Sequence, residues 1–434
     1  MKSSPQSVIA QFDGRKSAVL HDATWNDEFR KGLFTTISLA AGAKSGVGEL
    51  VGVARESSKL DAPQQSQLIG AEQSNSSMVF DGKYFLKLYR KVEDGANPDV
   101  EITRFLTERA SFANVPSFQG ALEYRRSKSG TTVVCLLQDA VAAESDAWTF
   151  TLDSVGRFYE RVLAEKAGLQ NDTAPPEQLL NDLIGGVYPE RAKLLGQRTG
   201  ELHLALASRH DEPAFAPEAF NTMAQRSVFQ NMRALTRRAF ELLEKKMPTV
   251  PEKFRGEAME VLAFEEQVLA QERRILDRRS TAMKIRIHGD YHLGQVLYTG
   301  KDFVILDFEG EPARPLSERR LKRSSLRDVA GMMRSFQYAA YSALWQPAMR
   351  TEDIPFLEHW ADIWYARMGQ VFLKSYLETT RGASFIPAND EDLRISLEAY
   401  LLDKAVYEVA YELNNRPDWV VIPIRGIKHI LRSA

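Results

Sequence analysis

The sequence predicts an α+β fold with two lobes, in which a small β-rich lobe precedes a larger and mostly helical lobe. A β-hairpin signal lies at residues 77–89, whereas helical patterns dominate the chain from about residue 152 onward. The weakly alternating segment 282–287 and the apolar run 303–306 are predicted to be short strands that lead to Asp290 and Asp307. Residues 296–298 and 303–306 flank a turn at Gly300 and predict a second hairpin. The small residues that follow position 140 are typical of a connector, so we expect the lobe boundary there.

The first lobe is predicted from its hairpin and the helix after it. Residues 77–80 and 84–89 flank Asp81-Gly82, a strong signal for a two-residue hairpin turn. Lys87 lies in the apolar second strand, as does the lysine that contacts nucleotide phosphates in kinases. Further on, Asn97 predicts a helix cap, with Pro98 at the first helical position. Glu101, in the first turn, is the expected partner that orients Lys87.

Two further segments of this lobe have the character of nucleotide contacts. The turn before the hairpin is polar, and the backbone amides and side chains of Ser74, Asn75 and Ser76 are predicted to cradle phosphate. The apolar run at 132–137 predicts a strand. Gln138 and Ala140 follow it, and we expect their backbone groups to meet the adenine ring.

The second lobe contains the residues with the clearest chemical pattern. Residues 288–295 read His-Gly-Asp-Tyr-His-Leu-Gly-Gln, and residues 307–310 read Asp-Phe-Glu-Gly after an apolar strand. In kinases an aspartate in such a loop accepts the proton of the attacking hydroxyl, while an amide and a second acid hold Mg²⁺. Asp290 is therefore the predicted base, and Gln295, Asp307 and Glu309 are the predicted metal ligands. Helices are predicted elsewhere in this lobe at 152–167, 188–209, 216–247 and 251–280.

The last predicted helix is the best candidate for a sugar site. Tyr407, Tyr411 and Asn415 recur at every fourth position, so they share one face. The helix is followed by Arg416 and, beyond a proline, by Trp419. Aromatic rings stack on the C–H faces of sugars while polar groups bind the hydroxyls. The alternative is an amphipathic helix whose tyrosines pack in the core.

Composition sets milder limits. The chain has 434 residues, 44% of them hydrophobic and 26% charged, as in ordinary globular proteins. The net charge of -2 gives no electrostatic reason to expect nucleic acid or an anionic membrane as partner. The single cysteine, Cys135, lies in an apolar strand and is predicted to be a buried thiol. Because no apolar stretch approaches membrane-spanning length and no signal peptide is visible, we expect a cytoplasmic protein.

Several blocks of the sequence resemble the maltokinases, a bacterial family of the aminoglycoside-phosphotransferase-like and protein-kinase-like superfamily. The blocks are residues 72–77, 86–90, 97–102, 198–205, 307–312, 327–336 and 411–419. The resemblance implies a bilobal kinase-like fold and ATP-dependent, Mg²⁺-dependent phosphorylation of maltose at its anomeric hydroxyl. It also implies that His292 joins Tyr407, Tyr411, Asn415, Arg416 and Trp419 in the sugar site.

The resemblance further implies a domain plan and a partner. Residues 1–65 correspond to a shortened N-terminal cap subdomain, 66–140 to the nucleotide-binding lobe and 141–434 to the helical lobe with the sugar site. Maltokinases occur alone or fused to trehalose synthase, which makes that enzyme a possible partner. Three alternatives stay open: a kinase for another sugar or aminosugar such as glucosamine, a catalytically silent nucleotide-binding module, and a purely structural domain.

Overall fold

The structure is a computed structural model that describes residues 7–12, 18–56, 59–71, 75–126, 130–169, 175–347 and 349–433. The strands are β1 Val8–Phe12, β2 Ala18–His21, β3 Gly42–Lys44, β4 Glu49–Ala54, β5 Ser66–Ala71, β6 Asn75–Phe80, β7 Tyr84–Tyr89, β8 Phe118–Arg126, β9 Gly130–Asp139, β10 Ser145–Asp146, β11 Glu218–Ala219, β12 Met283–Lys284, β13 Val296–Tyr298 and β14 Phe303–Ile305. The α-helices are α1 Asp27–Ser38, α2 Pro98–Glu108, α3 Ala147–Ala164, α4 Glu177–Ile184, α5 Val187–Leu206, α6 Thr222–Lys246, α7 Glu252–Leu262, α8 Glu265–Arg273, α9 Leu316–Arg319, α10 Leu326–Leu344, α11 Ile354–Thr379, α12 Asp390–Asn415 and α13 Val421–Ser433.

The chain forms two compact units. The first contains Met1–Ala142 and Asp307–Arg320, and the second contains Ala143–Leu306 and Leu321–Ala434. The segment that begins at Asp307 thus belongs to the first unit although it follows the catalytic-loop motif in sequence. The predicted domain limits at residues 65 and 140 stay predictions, because the two units group residues by their mutual contacts and do not test these limits. Among the residues that the structure describes, no helix has both the length and the apolar character to cross a membrane.

The first unit is built on an antiparallel sheet. In the described residues the sheet has seven strands, in the order β3-β4-β8-β9-β7-β6-β5. The predicted hairpin is confirmed, with Asp81 and Gly82 at φ 50° and 66°, the left-handed values that this turn requires. The strand Glu49–Ala54, from the segment predicted as a cap, pairs with β8 inside the same sheet.

Helix α1 packs on this sheet through Phe34 and Ile37. Gly52 allows the close approach, because a Cβ there would lie 2.0 Å from the Thr36 carbonyl oxygen. Cys135 lies in the same core and is fully buried, which confirms the predicted structural thiol. Burial raises the pKa of this thiol to about 12, so it is inert as a nucleophile near neutral pH.

The second unit is mostly helical, as predicted. Helices α5 and α10 pack on α11, α12 packs on α10, and α10 is almost wholly buried. The hairpin β13-β14 around Gly300 is confirmed. The expected strand before the catalytic loop is shorter than predicted, since only Met283–Lys284 and a bridge from Ile285 to Arg323 form there.

Candidate active site

A lysine and three carboxylates form the charged centre of the first unit. Lys87 Nζ lies 3.1 Å from Asp99 Oδ2, 2.5 Å from Asp307 Oδ1 and 2.5 Å from Glu309 Oε1. The lysine side chain is only 9% exposed. Strand β7 holds Lys87 in the sheet and helix α2 supplies Asp99, so secondary structure fixes both members of the buried pair.

The predicted pairing of Lys87 with Glu101 is wrong, and Asp99 takes that place. Glu101 instead accepts from the Arg320 guanidinium at 2.7 and 3.0 Å. The reason is helical geometry, because residues two apart point to different sides of a helix. The buried face of α2 includes Asp99, Ile102, Thr103 and Leu106. Their spacing was visible in the sequence and was the signal that could have identified Asp99.

Asp99 accepts hydrogen bonds from other groups in addition to being the counter-ion of Lys87. Its Oδ2 accepts from the Tyr89 hydroxyl at 3.0 Å, and its Oδ1 accepts from the Phe308 amide at 2.9 Å. The second bond fixes the backbone between Asp307 and Glu309. Asp307 itself has φ 61°, an unfavourable value for a residue with a side chain, and such strain is concentrated at functional sites.

The charges of this cluster do not balance. Burial opposes the charge of Lys87, but Asp99, Asp307 and Glu309 raise the pKa of this lysine well above its usual range. Burial raises the pKa of Glu309, and although Lys87 opposes the shift, the neighbouring aspartates add to it. Three carboxylates against one ammonium leave an excess of negative charge, which favours the binding of a further cation.

The donor set fits Mg²⁺. Asp99, Asp307 and Glu309 each offer a carboxylate oxygen, and these oxygens lie within 4.8 Å of one another. Carboxylate oxygens are the ligands that Mg²⁺ prefers. Asp307 and Glu309, which are more accessible than Asp99, would hold the ion. Gln295 belongs to the second unit, and its role as a metal ligand stays a prediction.

The predicted phosphate turn is described in part. Ser74 lies outside the described residues. Asn75 Nδ2 donates to Glu309 Oε1 at 3.0 Å, which brings the turn to the charged centre. Ser76 Oγ accepts from Arg90 Nε at 3.0 Å.

The predicted adenine contacts lie at the end of β9. Gln138 pairs with Phe85 on one side and Phe118 on the other. The Ala140 amide donates to the Lys83 carbonyl at 2.8 Å. That amide is therefore already used within the unit, and an adenine contact through it would require the bond to open.

A buried aspartate holds the predicted catalytic loop of the second unit. Asp328, on α10, accepts from the His288 amide at 2.7 Å and from the Gly289 amide at 3.0 Å. His203 Nε2 also donates to Asp328, at 3.2 Å. Burial alone would raise the pKa of Asp328, but the hydrogen bond from His203 and the other donors hold it below its ordinary value. The carboxylate therefore stays charged and fixes the backbone just before Asp290.

Asp290 itself is accessible and lies beside a lysine. Its side chain is 23% exposed, and Lys404 Nζ, on α12, lies 3.3 Å from Asp290 Oδ1. The loop is further held by His288, whose Nε2 donates to the Leu306 carbonyl at 2.8 Å. Asp328 and Lys404 were not predicted from the sequence as site residues.

Four of the six predicted sugar residues form a series that begins beside Lys404: Tyr407, Tyr411, Arg416 and Trp419. The Lys404 ammonium lies 5.0 Å from the centre of the Tyr407 ring, which stacks on Tyr411 with 6.4 Å between ring centres. The Arg416 guanidinium lies 5.7 Å from Tyr411 and 4.4 Å from Trp419. Helix α12 and the turn after it thus carry aromatic and basic groups away from Asp290, and Tyr411 is 45% exposed. The alternative of a tyrosine packed in the core does not hold for Tyr411.

The other two predicted sugar contacts have local roles in this structure. Asn415 Nδ2 donates to the Tyr411 carbonyl at 2.8 Å, so it caps the end of α12. His292 Nδ1 accepts from the Gly294 amide at 3.1 Å, which fixes the turn after Asp290. Their contact with a sugar stays a prediction.

Comparison with known proteins identifies relatives among glucosamine kinases. The glucosamine kinase of Streptacidiphilus jiangxiensis is 27% identical over 240 residues, which cover 55% of this chain and 49% of that protein. The chain therefore spans about half the length of this relative. The glucosamine kinase of Mycolicibacterium smegmatis is 24% identical over 368 residues, covering 84% of this chain and 79% of that protein.

Solved structures agree with these relatives. A glucosamine kinase in complex with glucosamine, ADP and inorganic phosphate has a TM-score of 0.65 at 19% identity, over 98% of this chain and 93% of that one. No family model matches the sequence. The structural likeness establishes the fold and confirms the predicted kinase-like α+β class.

Proposed function

We propose that this protein is an ATP-dependent sugar kinase. The observation that supports the proposal most is the cluster of Lys87 with Asp99, Asp307 and Glu309. A buried lysine beside acids at the end of a strand is the arrangement with which kinases hold nucleotide phosphates and their metal. The names of the sequence relatives support the same reaction class.

In the proposed mechanism different residues bind the nucleotide and activate the sugar. Lys87 binds the phosphates of ATP, and Asp307 and Glu309 would hold Mg²⁺, which neutralises phosphate charge when bound. Asp290 aligns the sugar hydroxyl and accepts its proton during attack on the terminal phosphate. Asp328 keeps the loop in place, so that most of the rate comes from positioning and charge neutralisation.

Maltose is the proposed acceptor, phosphorylated at its anomeric hydroxyl to maltose 1-phosphate. The blocks that resemble maltokinases support this choice, as does the series of aromatic and basic groups from Tyr407 through Tyr411 and Arg416 to Trp419. The same resemblance suggests trehalose synthase as a partner. Glucosamine is the second candidate, because the two sequence relatives described above are named glucosamine kinases.

The proposal is tested by phosphate transfer from ATP to a panel of maltose, glucose, glucosamine and trehalose, with the products mapped by NMR. We expect transfer to the anomeric oxygen of maltose. Asp290→Asn should lower kcat by about 1,000-fold or more while the Kd for ATP changes little, because the base acts on the sugar. The control is Asp153→Asn on the exposed face of α3, which should leave kcat unchanged. Transfer to none of these sugars, or full activity of Asp290→Asn, would contradict the proposal.

A further inference from the structure

A chain of buried side chains leads from helix α11 to the loop that carries Asp290. The Tyr376 hydroxyl lies 3.0 Å from His203 Nδ1 and 3.0 Å from Ser325 Oγ. On the other side of the imidazole ring, His203 Nε2 donates to Asp328 Oδ2 at 3.2 Å. Tyr376, His203 and Ser325 are fully buried, and Asp328 is 1% exposed. Because bulk water does not reach these polar groups, they depend on one another for hydrogen bonds.

The Asp328 end of this chain determines the position of the loop. One carboxylate oxygen, Oδ2, accepts from His203 Nε2 and from the His288 amide, while Oδ1 accepts from the Gly289 amide. The bond from His203 therefore helps to orient the carboxylate toward the loop. Asp290 follows Gly289 directly, so a carboxylate that turned away would release the backbone just before the proposed base.

The His203 ring is held in one orientation because each of its nitrogens has a partner. The Tyr376 hydroxyl is the partner of Nδ1, and in the described part of the chain no second one is present. Burial raises the pKa of Tyr376, so the hydroxyl keeps its proton at neutral pH. A ring turned by 180° would place carbon atoms where both nitrogens now lie, and the bond that one nitrogen makes determines which nitrogen carries the proton. Tyr376 therefore favours the orientation in which Nε2 donates to Asp328.

We infer that Tyr376 is a positioning residue for the proposed base and acts through His203 and Asp328. The inference rests on the proposed function and adds a residue of α11 to it. Tyr376 fixes the imidazole ring, the ring orients the carboxylate, and the carboxylate holds the backbone before Asp290. Ser325, on the other side of the Tyr376 hydroxyl, orients that hydroxyl.

The first experiment removes the hydroxyl and leaves the aromatic ring in place. We expect Tyr376→Phe to lower kcat by about fivefold with ATP and the best acceptor of the sugar panel, because the loop loses part of its anchor. The KM for ATP should change little. Ser325→Ala should lower kcat by a smaller factor, because Tyr376 keeps its bond to His203.

The matched control is Tyr159→Phe. Tyr159 is also fully buried, and its hydroxyl donates to the Ala340 carbonyl of α10 at 2.7 Å. This substitution should lower Tm and leave kcat unchanged. If Tyr159→Phe and Tyr376→Phe lowered kcat equally, the loss of any buried hydroxyl would explain the effect, and the inference would be wrong.

A double-mutant cycle tests whether the effect passes through His203. Leucine at position 203 has no nitrogen that Tyr376 could orient. Tyr376→Phe should therefore lower kcat in the wild-type background and leave it unchanged in the His203→Leu background. Equal losses in the two backgrounds would show that Tyr376 acts by another route and would overturn the inference.

The imidazole protons supply a readout that does not depend on turnover. In protein labelled with ¹⁵N-histidine, NMR shows which ring nitrogen of His203 carries a proton, and His203→Leu identifies its signals among those of the seven histidines. We expect one sharp Nε2–H signal in the wild type and Tyr159→Phe, and a broadened or split signal in Tyr376→Phe. A signal that is equally sharp and unshifted in Tyr376→Phe overturns the inference. A wild type that phosphorylates no sugar overturns the proposed function instead, and the NMR comparison then still decides whether Tyr376 fixes the ring.

Discussion

Each unit of the molecule contains one nearly inaccessible aspartate that positions a functional group, and the two do so in different ways. Asp99, in the first unit, binds the side chain of Lys87. Asp328, in the second unit, binds the backbone amides of His288 and Gly289. The exposed fractions are 2% for Asp99 and 1% for Asp328, so burial does not distinguish them. Their partners do.

The difference shows which part of the reaction each residue controls. A lysine side chain can rotate, so the anion that holds it determines where its charge is presented to a nucleotide. A backbone loop has fewer alternatives, and its anchor determines whether Asp290 has a defined position at all. We therefore expect loss of Asp99 to affect nucleotide handling, and loss of Asp328 to affect both kcat and folding.

Among the substitutions that compare the two buried aspartates, the largest effect is expected for Asp99→Asn. The substitution removes the charge that orients Lys87, so kcat/KM for ATP should fall by about 100-fold. Steady-state kinetics with ATP as the varied substrate would measure this, and the KM for the sugar should change little.

Glu101→Gln is the matched comparison, because Glu101 lies two residues away on the same helix. Its partly exposed ion pair with Arg320 contributes about 0–1 kcal/mol, so the variant should keep near wild-type kinetics. If Glu101→Gln lost as much activity as Asp99→Asn, the assignment of Asp99 as the partner of Lys87 would be wrong.

A smaller effect on turnover is expected for Asp328→Asn. The amide side chain accepts one hydrogen bond but presents its NH₂ group to the other donors, so kcat should fall by about tenfold. Stability should fall by about 3 kcal/mol, because buried donors lose their charged acceptor. Urea unfolding and kinetics at saturating substrate separate the two losses.

The loss of stability in Asp328→Asn is expected to depend on pH in a definite direction. The pKa of Asp328 is lowered in the folded protein, so its contribution to stability is present above the unfolded value of about 3.9 and is lost as the pH falls through the folded value. The gap in Tm between the wild type and Asp328→Asn should therefore be large at pH 7 and narrow below pH 4. A gap that stayed constant over this range would show that the lost stability comes from packing and not from the charge.

Local signals in the sequence predicted much of the first unit and the catalytic motif. The Asp-Gly turn and the cap at Asn97 depend on a few neighbouring residues, and both are present in the structure. The choice between Asp99 and Glu101 was missed because it depends on which face of α2 meets the sheet. That face is determined by packing, although the spacing of Asp99 with Ile102 and Leu106 indicated it.

The partners of the catalytic loop could not be predicted in this way. Asp328 and Lys404 come from helices 38 and 114 residues beyond Asp290, and no local pattern links them to it. Only the packing of α10 and α12 against the loop brings them there. The cation adjacent to the predicted base is therefore a property of the tertiary structure.

Glu272 is another buried acid, and comparing it with Asp328 shows how hydrogen-bond donors change the pKa of a buried carboxyl group. It is fully buried in the second unit and accepts from the Thr236 hydroxyl at 3.0 and 3.2 Å. Burial raises the pKa of Glu272 to about 8, and the nearby Asp403 adds to the shift. Asp328 is equally buried and its pKa is lowered. The difference arises because backbone amides and an imidazole donate to Asp328, whereas a neutral hydroxyl donates to Glu272.

For Glu272→Gln we therefore expect the smallest change in activity. In contrast to Asp328→Asn, this variant should gain stability. In the wild type the folded protein keeps this proton while the unfolded chain releases it, so stability decreases as the pH rises from about 4.5 to 8. Glutamine carries no charge, and the variant should be more stable than the wild type at pH 8 by on the order of 3 kcal/mol, with little difference at pH 5. Thermal unfolding at both pH values, with the exposed Glu266→Gln on the same helix as control, measures this gain. Equal Tm shifts at pH 5 and pH 8 would mean that Glu272 is already ionised in the folded protein. The lack of strong donors would then not explain how Glu272 differs from Asp328.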